Sequence, residues 1–355
     1  MDEPSILDPI LTEKQRVNRK SWIRFLDSPF HTWILAWSFA LAFVLCGAAA
    51  EAQQPKKVAR VCYLGNTVSN AETNMKPFRE RLREIGYIEG QNVTIDYRYW
   101  EGKVERLPGL AAEFVRLNCD VILTSGSEGP QAAKNATKTI PIVMAFGADA
   151  VRMGVVADLA RPGGNITGLT SISVEILGKR LELLKETVPK LARVAYLWSP
   201  TNPDVDDQFK EVEAVARFLR VEVQSLAVKE PDDFEGAFQA ATKKRAQGLL
   251  LGTGGFFGAH QKRIVGLATK NRLPGIFPNV QYVEAGGLMS YGEDRAEMFR
   301  RAAEIVDKVL KGTKPADIPV ERPKKFDFVI NLKAAKQIGF TVPPNVLWKA
   351  TRIIR

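Results

Sequence analysis

One series of segments is written twice in this chain, and any fold has to accommodate both copies. The stretch VARVCYLG at 58–65 is answered by LARVAYLW at 191–198, each an apolar run ending in a polar loop. After each copy come an amphipathic stretch of helical spacing (72–85; 207–219), a second apolar run (93–99; 221–227), another helical stretch (107–117; 234–245) and a third apolar run, VIL at 121–123 and LLL at 249–251. Period-3.6 patterns alternating with short apolar runs separate helices from strands. The third runs lead into small-residue loops, TSGSEG at 124–129 and GTGGF at 252–256. Further on, IPIV at 140–143 matches LPGI at 273–276, and GGNITG at 163–168 matches GGLMSYG at 286–292.

Strands that alternate with helices make parallel sheets covered by those helices, so two copies predict two α/β lobes. A chain of 355 residues, 45% of them hydrophobic, can bury both cores. The stretch 161–203 leads from the first copy into the second, with a Gly-rich connector, an extended segment (166–172), and a helix carrying Leu177, Leu181, Leu184 and Val188 on one stripe before the apolar run that opens the second copy. Crossings between lobes are expected at 168–173 and 288–291, and the Pro- and charge-rich segment 314–325 supplies a third before a last strand (326–330) and helix (332–338). Lobe 1 is then 57–170 with 291–313, and lobe 2 is 171–290 with 326–355.

Residues 1–52 follow another pattern: Lys14, Arg16, Arg19, Lys20 and Arg24, an apolar run over 33–50, then small residues up to Ala52. This is the layout of a secretory signal, which places the rest in the periplasm. The alternative is an uncleaved inner-membrane tether, because the run is just long enough to span a bilayer. Removing the five Lys/Arg and six Asp/Glu of the leader takes the net charge from +10 to +11. The charges are spread along the chain without a basic patch interleaved with aromatics, so no nucleic-acid partner is expected. Cys62 lies inside a predicted strand and Cys119 just before another, so both are expected as buried thiols.

Enzymatic constellations are missing parts. His31 belongs to the leader and His260 stands alone, which leaves no triad and no multi-histidine metal site. Neither a Walker loop nor a G-x-G-x-x-G follows the first strand, so no cofactor is expected. The acid pairs at 206–207, 232–233 and 293–294 sit at helix starts, where carboxylates satisfy free N–H groups.

Strand ends are more informative, because ligands of open parallel sheets sit beyond the carboxyl ends of the strands. There, lobe 1 places Asn66, Thr67, Ser125, Ser127, Phe146 and Asp149, and lobe 2 places Ser199, Asn202, Phe256 and Asn279, with Tyr291 beside a crossing. The loop at 124–127 can offer hydroxyls and N–H groups to a carboxylate without an arginine. Facing rims of this composition form a cleft for a small molecule.

The runs REIGYIEGQNV (83–93), RLPGLAA (106–112), LARPGGNITGL (159–169), GKRLELL (178–184), AGGLMSYG (285–292) and FVINL (328–332) closely resemble the ABC-transporter substrate-binding family that includes tryptophan-binding TrpX-like proteins. The resemblance spans about 57–345. It implies a type I periplasmic-binding-protein fold, two Rossmann-like lobes with a three-crossing hinge. It also implies capture of a solute such as an aromatic amino acid and its delivery to an inner-membrane permease. The loop 252–258 departs from the family's usual form, leaving side-chain specificity open. On this reading the protein is a monomer, Ser125 and Ser127 take an α-carboxylate, Asp149 an ammonium, and Tyr291, Phe146 or Phe256 a ring. A membrane-tethered sensor of the same fold and an α/β enzyme are the other readings.

Overall fold

The structure, a computed structural model, describes residues 58–355, so the leader and the tether expected from 33–50 lie outside the described residues. Among the described residues no helix is long and apolar enough to cross a membrane. The strands are β1 (Ala59–Gly65), β2 (Val93–Tyr99), β3 (Val121–Ser125), β4 (Ile142–Phe146), β5 (Ile166–Gly168), β6 (Arg193–Trp198), β7 (Glu222–Ala227), β8 (Gly248–Leu251), β9 (Gly275–Phe277), β10 (Met289–Glu293), β11 (Phe326–Asn331) and β12 (Arg352–Ile354). They form two sheets, in the orders β2-β1-β3-β4-β5 and β12-β11-β10-β9-β8-β6-β7. All pairs are parallel except β10 with β11.

Each sheet is buried on both faces, because successive residues of a strand point to opposite sides. Val61 and Tyr63 of β1 join Phe78, Leu82 and Phe299 on one face, while Cys62 and Leu64 join Phe114 and Trp100 on the other. The second sheet is sandwiched likewise, with Leu177, Leu181 and Leu184 on one side and Phe234, Phe238 and Ile264 on the other. Each fully buried ring or aliphatic chain contributes roughly 1.5–3 kcal/mol. Helix Arg295–Leu310 follows β10 of the second sheet yet packs on the first lobe, its Phe299 and Val306 lying in one cluster with Met75 and Phe78 of helix Val68–Glu84.

Three segments, 169–172, 293–295 and 318–325, carry the chain between the sheets. They run side by side: Thr170 N–H donates to Glu321 O (2.9 Å) and Asp294 N–H to Lys325 O (3.0 Å). Gly168, with φ +125°, closes the first lobe where an added Cβ would lie 2.2 Å from Met144 O, so a side chain is excluded there. The second crossing comes later than 288–291, since pairing with β11 holds β10 in the second sheet as far as Glu293 opposite Phe326. Tyr291, assigned by sequence to the first lobe, therefore belongs to the second sheet. Because β11 begins at the crossing edge where β10 ends, the two must be antiparallel. Two Rossmann-like lobes joined in this way form the type I periplasmic-binding-protein fold.

The cysteines correct the sequence reading. Cys62 and Cys119 form a disulfide with Cα atoms 6.0 Å apart. β3 lies directly beside β1, so the turn entering β3 passes next to Cys62, a proximity that the separate strand assignments did not contain.

Candidate functional site

The C-terminal ends of both sheets face one another across a cavity of about 90 Å³, several times what one ordered water needs. From the first lobe come Tyr63 on β1, Asn66 on the loop after it, Trp100 after β2, Ser125 at the end of β3 with Gly126 and Ser127 after it, and Phe146 at the end of β4 with Gly147 after it. The second lobe adds Thr253, Gly254, Gly255 and Gly258 after β8, with Pro278, Asn279 and Tyr282 after β9. The crossings add Ser171, Glu293 and Arg295, and helix Ser173–Thr187 adds Ser173 and Arg180.

Hydrogen bonds fix the wall. Tyr63 OH and Ser125 Oγ are 2.9 Å apart, and burial pushes the Tyr63 phenol far above its usual range. Tyr282 stacks on Phe277 with ring centroids 5.2 Å apart. Arg180 is 1% exposed; its Nε donates to Tyr291 O (2.6 Å) and its Nη2 to Pro278 O (3.2 Å), which leaves Nη1 without a partner. Burial pushes the Arg180 pKa down to about 10, with Glu293 opposing that shift, so at neutral pH the guanidinium stays charged. The Arg295 guanidinium lies 4.4 Å from the centre of the Phe146 ring, a cation–π contact; burial lowers its pKa and Glu293 opposes the shift. Glu293 accepts a short hydrogen bond from Ser171 Oγ.

The two rims also bond directly. Asn66 Nδ2 donates to Gly255 O (2.7 Å), Asn70 Nδ2 to Gly258 O (3.2 Å), and Gln281 Nε2 to Asn74 Oδ1 (3.3 Å). Gly255 N–H donates to Oε1 of the buried Glu128 (3.0 Å), whose carboxyl pKa burial raises. Trp100 presses on the same loop: a Cβ on Gly255 would lie 2.1 Å from its ring.

Of the residues expected from sequence, Asn66, Ser125, Ser127, Phe146 and Asn279 line the cavity. The other six serve nearby structure. Thr67 caps helix Val68–Glu84, and Asp149 Oδ1 accepts from Val151 and Arg152 N–H. Ser199 Oγ pairs with Thr201 Oγ1 at 2.9 Å, and Asn202 Nδ2 holds Thr253 O at 2.6 Å. Phe256 stacks on Phe234 in the core, and Tyr291 stacks on Phe326. Arg180 and Arg295, which sequence reasoning did not name, also line the cavity. One signal was available: Arg180 sits three residues after Leu177 and four before Leu184, a charge inside an apolar stripe.

The family model for "ABC transporter substrate binding protein" matches residues 69–354. A tyrosine-binding protein of Clostridioides difficile (strain R20291) is 27% identical over 264 residues, 74% of this chain and 75% of that protein. Among solved structures, a conserved domain protein from Vibrio cholerae O1 biovar El Tor is 27% identical with a TM-score of 0.78, over 84% of this chain and all of that one. The ABC domain in complex with L-Trp from Streptococcus pneumonia is 26% identical with a TM-score of 0.76, over 83% of this chain and 99% of that one.

Proposed function

The chain belongs to the ABC transporter substrate-binding protein family, and on that premise we propose that it captures a small carboxylate-bearing solute, such as an aromatic amino acid or a chemical relative, and delivers it unchanged to an inner-membrane permease. The observation that carries this reading is the cavity itself, walled by strand ends of two lobes that, among the described residues, the chain links by three crossing segments. A ligand touching both walls favours the form in which they are apposed, and rotation about the crossings releases it. Tyr63, Trp100, Phe146 and Tyr282 offer ring faces, and Ser125, Ser127, Arg180 and Arg295 offer donors to a carboxylate. A tyrosine-binding relative and a similar structure holding L-Trp support a ring-bearing cargo. The Cys62–Cys119 disulfide suits the oxidising periplasm, reached by way of the leader at 1–52.

Thermal-shift screening against amino acids, aromatic acids and small carboxylates, followed by calorimetry on the hits, tests the reading. A stoichiometric ligand recovered unaltered is the expected result. Turnover of a hit, or the absence of any stabilising small molecule, refutes it. N-terminal sequencing of protein taken from the periplasm shows whether the leader has been removed.

A further inference from the structure

Arg180, Arg295 and Glu293 are the charged side chains among the described residues that line the cavity, two cations against one anion. Glu293 is engaged already, since Ser171 donates to it and its charge acts on both arginines. The next carboxylates stand behind the wall with one oxygen of each engaged: Glu128 Oε1 accepts from Gly255 N–H and Asp204 Oδ2 from Ser173 Oγ at 3.5 Å, while Glu128 Oε2 and Asp204 Oδ1 are buried without a partner. Among the lining residues Glu293 is thus the one carboxylate, outnumbered by the two guanidinium groups and already accepting from Ser171.

The unpartnered polar atoms of the wall point the same way. Three buried side-chain atoms of lining residues lack a partner, Arg180 Nη1, Trp100 Nε1 and Gln261 Nε2, and all three are donors. Buried donors are normally satisfied, so a wall with only donors to spare is built for a guest that brings acceptors. The donors have different neighbours. Arg180 stands by Pro278 and Tyr291 near the second crossing, whereas Trp100 packs on Gly255 and Gln261 follows the same loop.

We propose, building on the solute-binding reading above, that the cargo is a ring-bearing carboxylate of net negative charge without an ammonium group, its carboxylate at Arg180 and a second acceptor near Trp100 and Gln261. Net charge complementarity then selects an aromatic acid over the amino acid of the same skeleton.

Calorimetry on the dialysed protein with two matched pairs tests this: 3-(4-hydroxyphenyl)propionate against L-tyrosine, and indole-3-propionate against L-tryptophan. The expected result is that each acid binds at least about tenfold more tightly than its amino acid, and that 3-phenylpropionate, without the distal oxygen, binds several-fold more weakly than its hydroxylated analogue. Amino acids that bind as tightly as the acids overturn the inference and leave solute capture standing. Absence of heat and of thermal shift from every probe overturns both. Arg180→Met is expected to abolish acid binding. Because a buried change can unfold the chain, Glu293→Gln serves beside it, expected to strengthen acid binding because it removes the one anion of the wall. If Glu293→Gln instead selectively abolishes L-tyrosine binding, Glu293 is an ammonium site and the inference fails.

Discussion

Replacing Gly255 by alanine is the most direct probe of how the two rims meet. The added methyl carbon would lie 2.1 Å and 2.3 Å from two atoms of the Trp100 ring, which is itself fully buried and has no room to retreat. The loop must therefore withdraw, and two bonds go with it: Asn66 to Gly255 O at 2.7 Å and Gly255 N–H to Glu128 at 3.0 Å. A neutral hydrogen bond is worth about 0.5–1.5 kcal/mol net and one to a charged group about 1.5–3, so apposition of the rims weakens by roughly 2–4 kcal/mol. Since ligand binding draws on the apposed form, Kd should rise by roughly 30-fold to several hundred-fold. Titration calorimetry with the tightest ligand from the screen measures this, and small-angle scattering of the liganded protein reports whether the lobes still come together. The two bonds lost join one lobe to the other and not a sheet to its covering helices, so Tm without ligand should fall by less than the loss in binding. An unchanged Kd would refute the argument, and so would a drop in unliganded Tm as large as the lost binding energy.

Two further outcomes concern stability. The Cys62–Cys119 bridge joins residues 57 apart, for which loop-closure entropy gives about 4 kcal/mol, so Cys62→Ala with Cys119→Ala should lower the denaturation free energy by roughly 2–4 kcal/mol; an equal midpoint for oxidised and reduced protein contradicts this. Burial raises Asp204 from 3.8 to about 6, with Arg152 opposing the shift, so the folded form holds its proton more tightly than the unfolded chain. That stabilisation is complete below about pH 4 and is lost as pH rises through about 6, a fall on the order of 2–3 kcal/mol, and Asp204→Asn should flatten it in chemical denaturation at a series of pH values.

The double series of strands and helices was readable because periodicity is local: the run at 93–99 became β2 (Val93–Tyr99) with its bounds unchanged, and 207–219 became the helix Val205–Leu219. Side-chain roles depend on competition that a sequence does not display. Asp149 satisfies two N–H groups of its own turn, and Phe256 gains more from stacking on Phe234 than from facing a cleft. Arg180 was hidden by the opposite effect. Its neighbours Leu177, Leu181 and Leu184 face the sheet, and the guanidinium reaches the carbonyls of Tyr291 on β10 and Pro278 after β9, which only the tertiary fold brings near. The disulfide required knowing that β3 lies beside β1.

Helix Arg295–Leu310, which follows a strand of one lobe and completes the core of the other, sets the order in which the protein can assemble. The first lobe has all five of its strands by Gly168, yet Phe299 and Val306 have not been synthesised at that point. A nascent chain halted midway would therefore present an unsealed apolar face beside Phe78. That favours a route in which synthesis finishes before folding does, and it means that a gene cut at the interlobe boundary yields a first half unable to close its own interior.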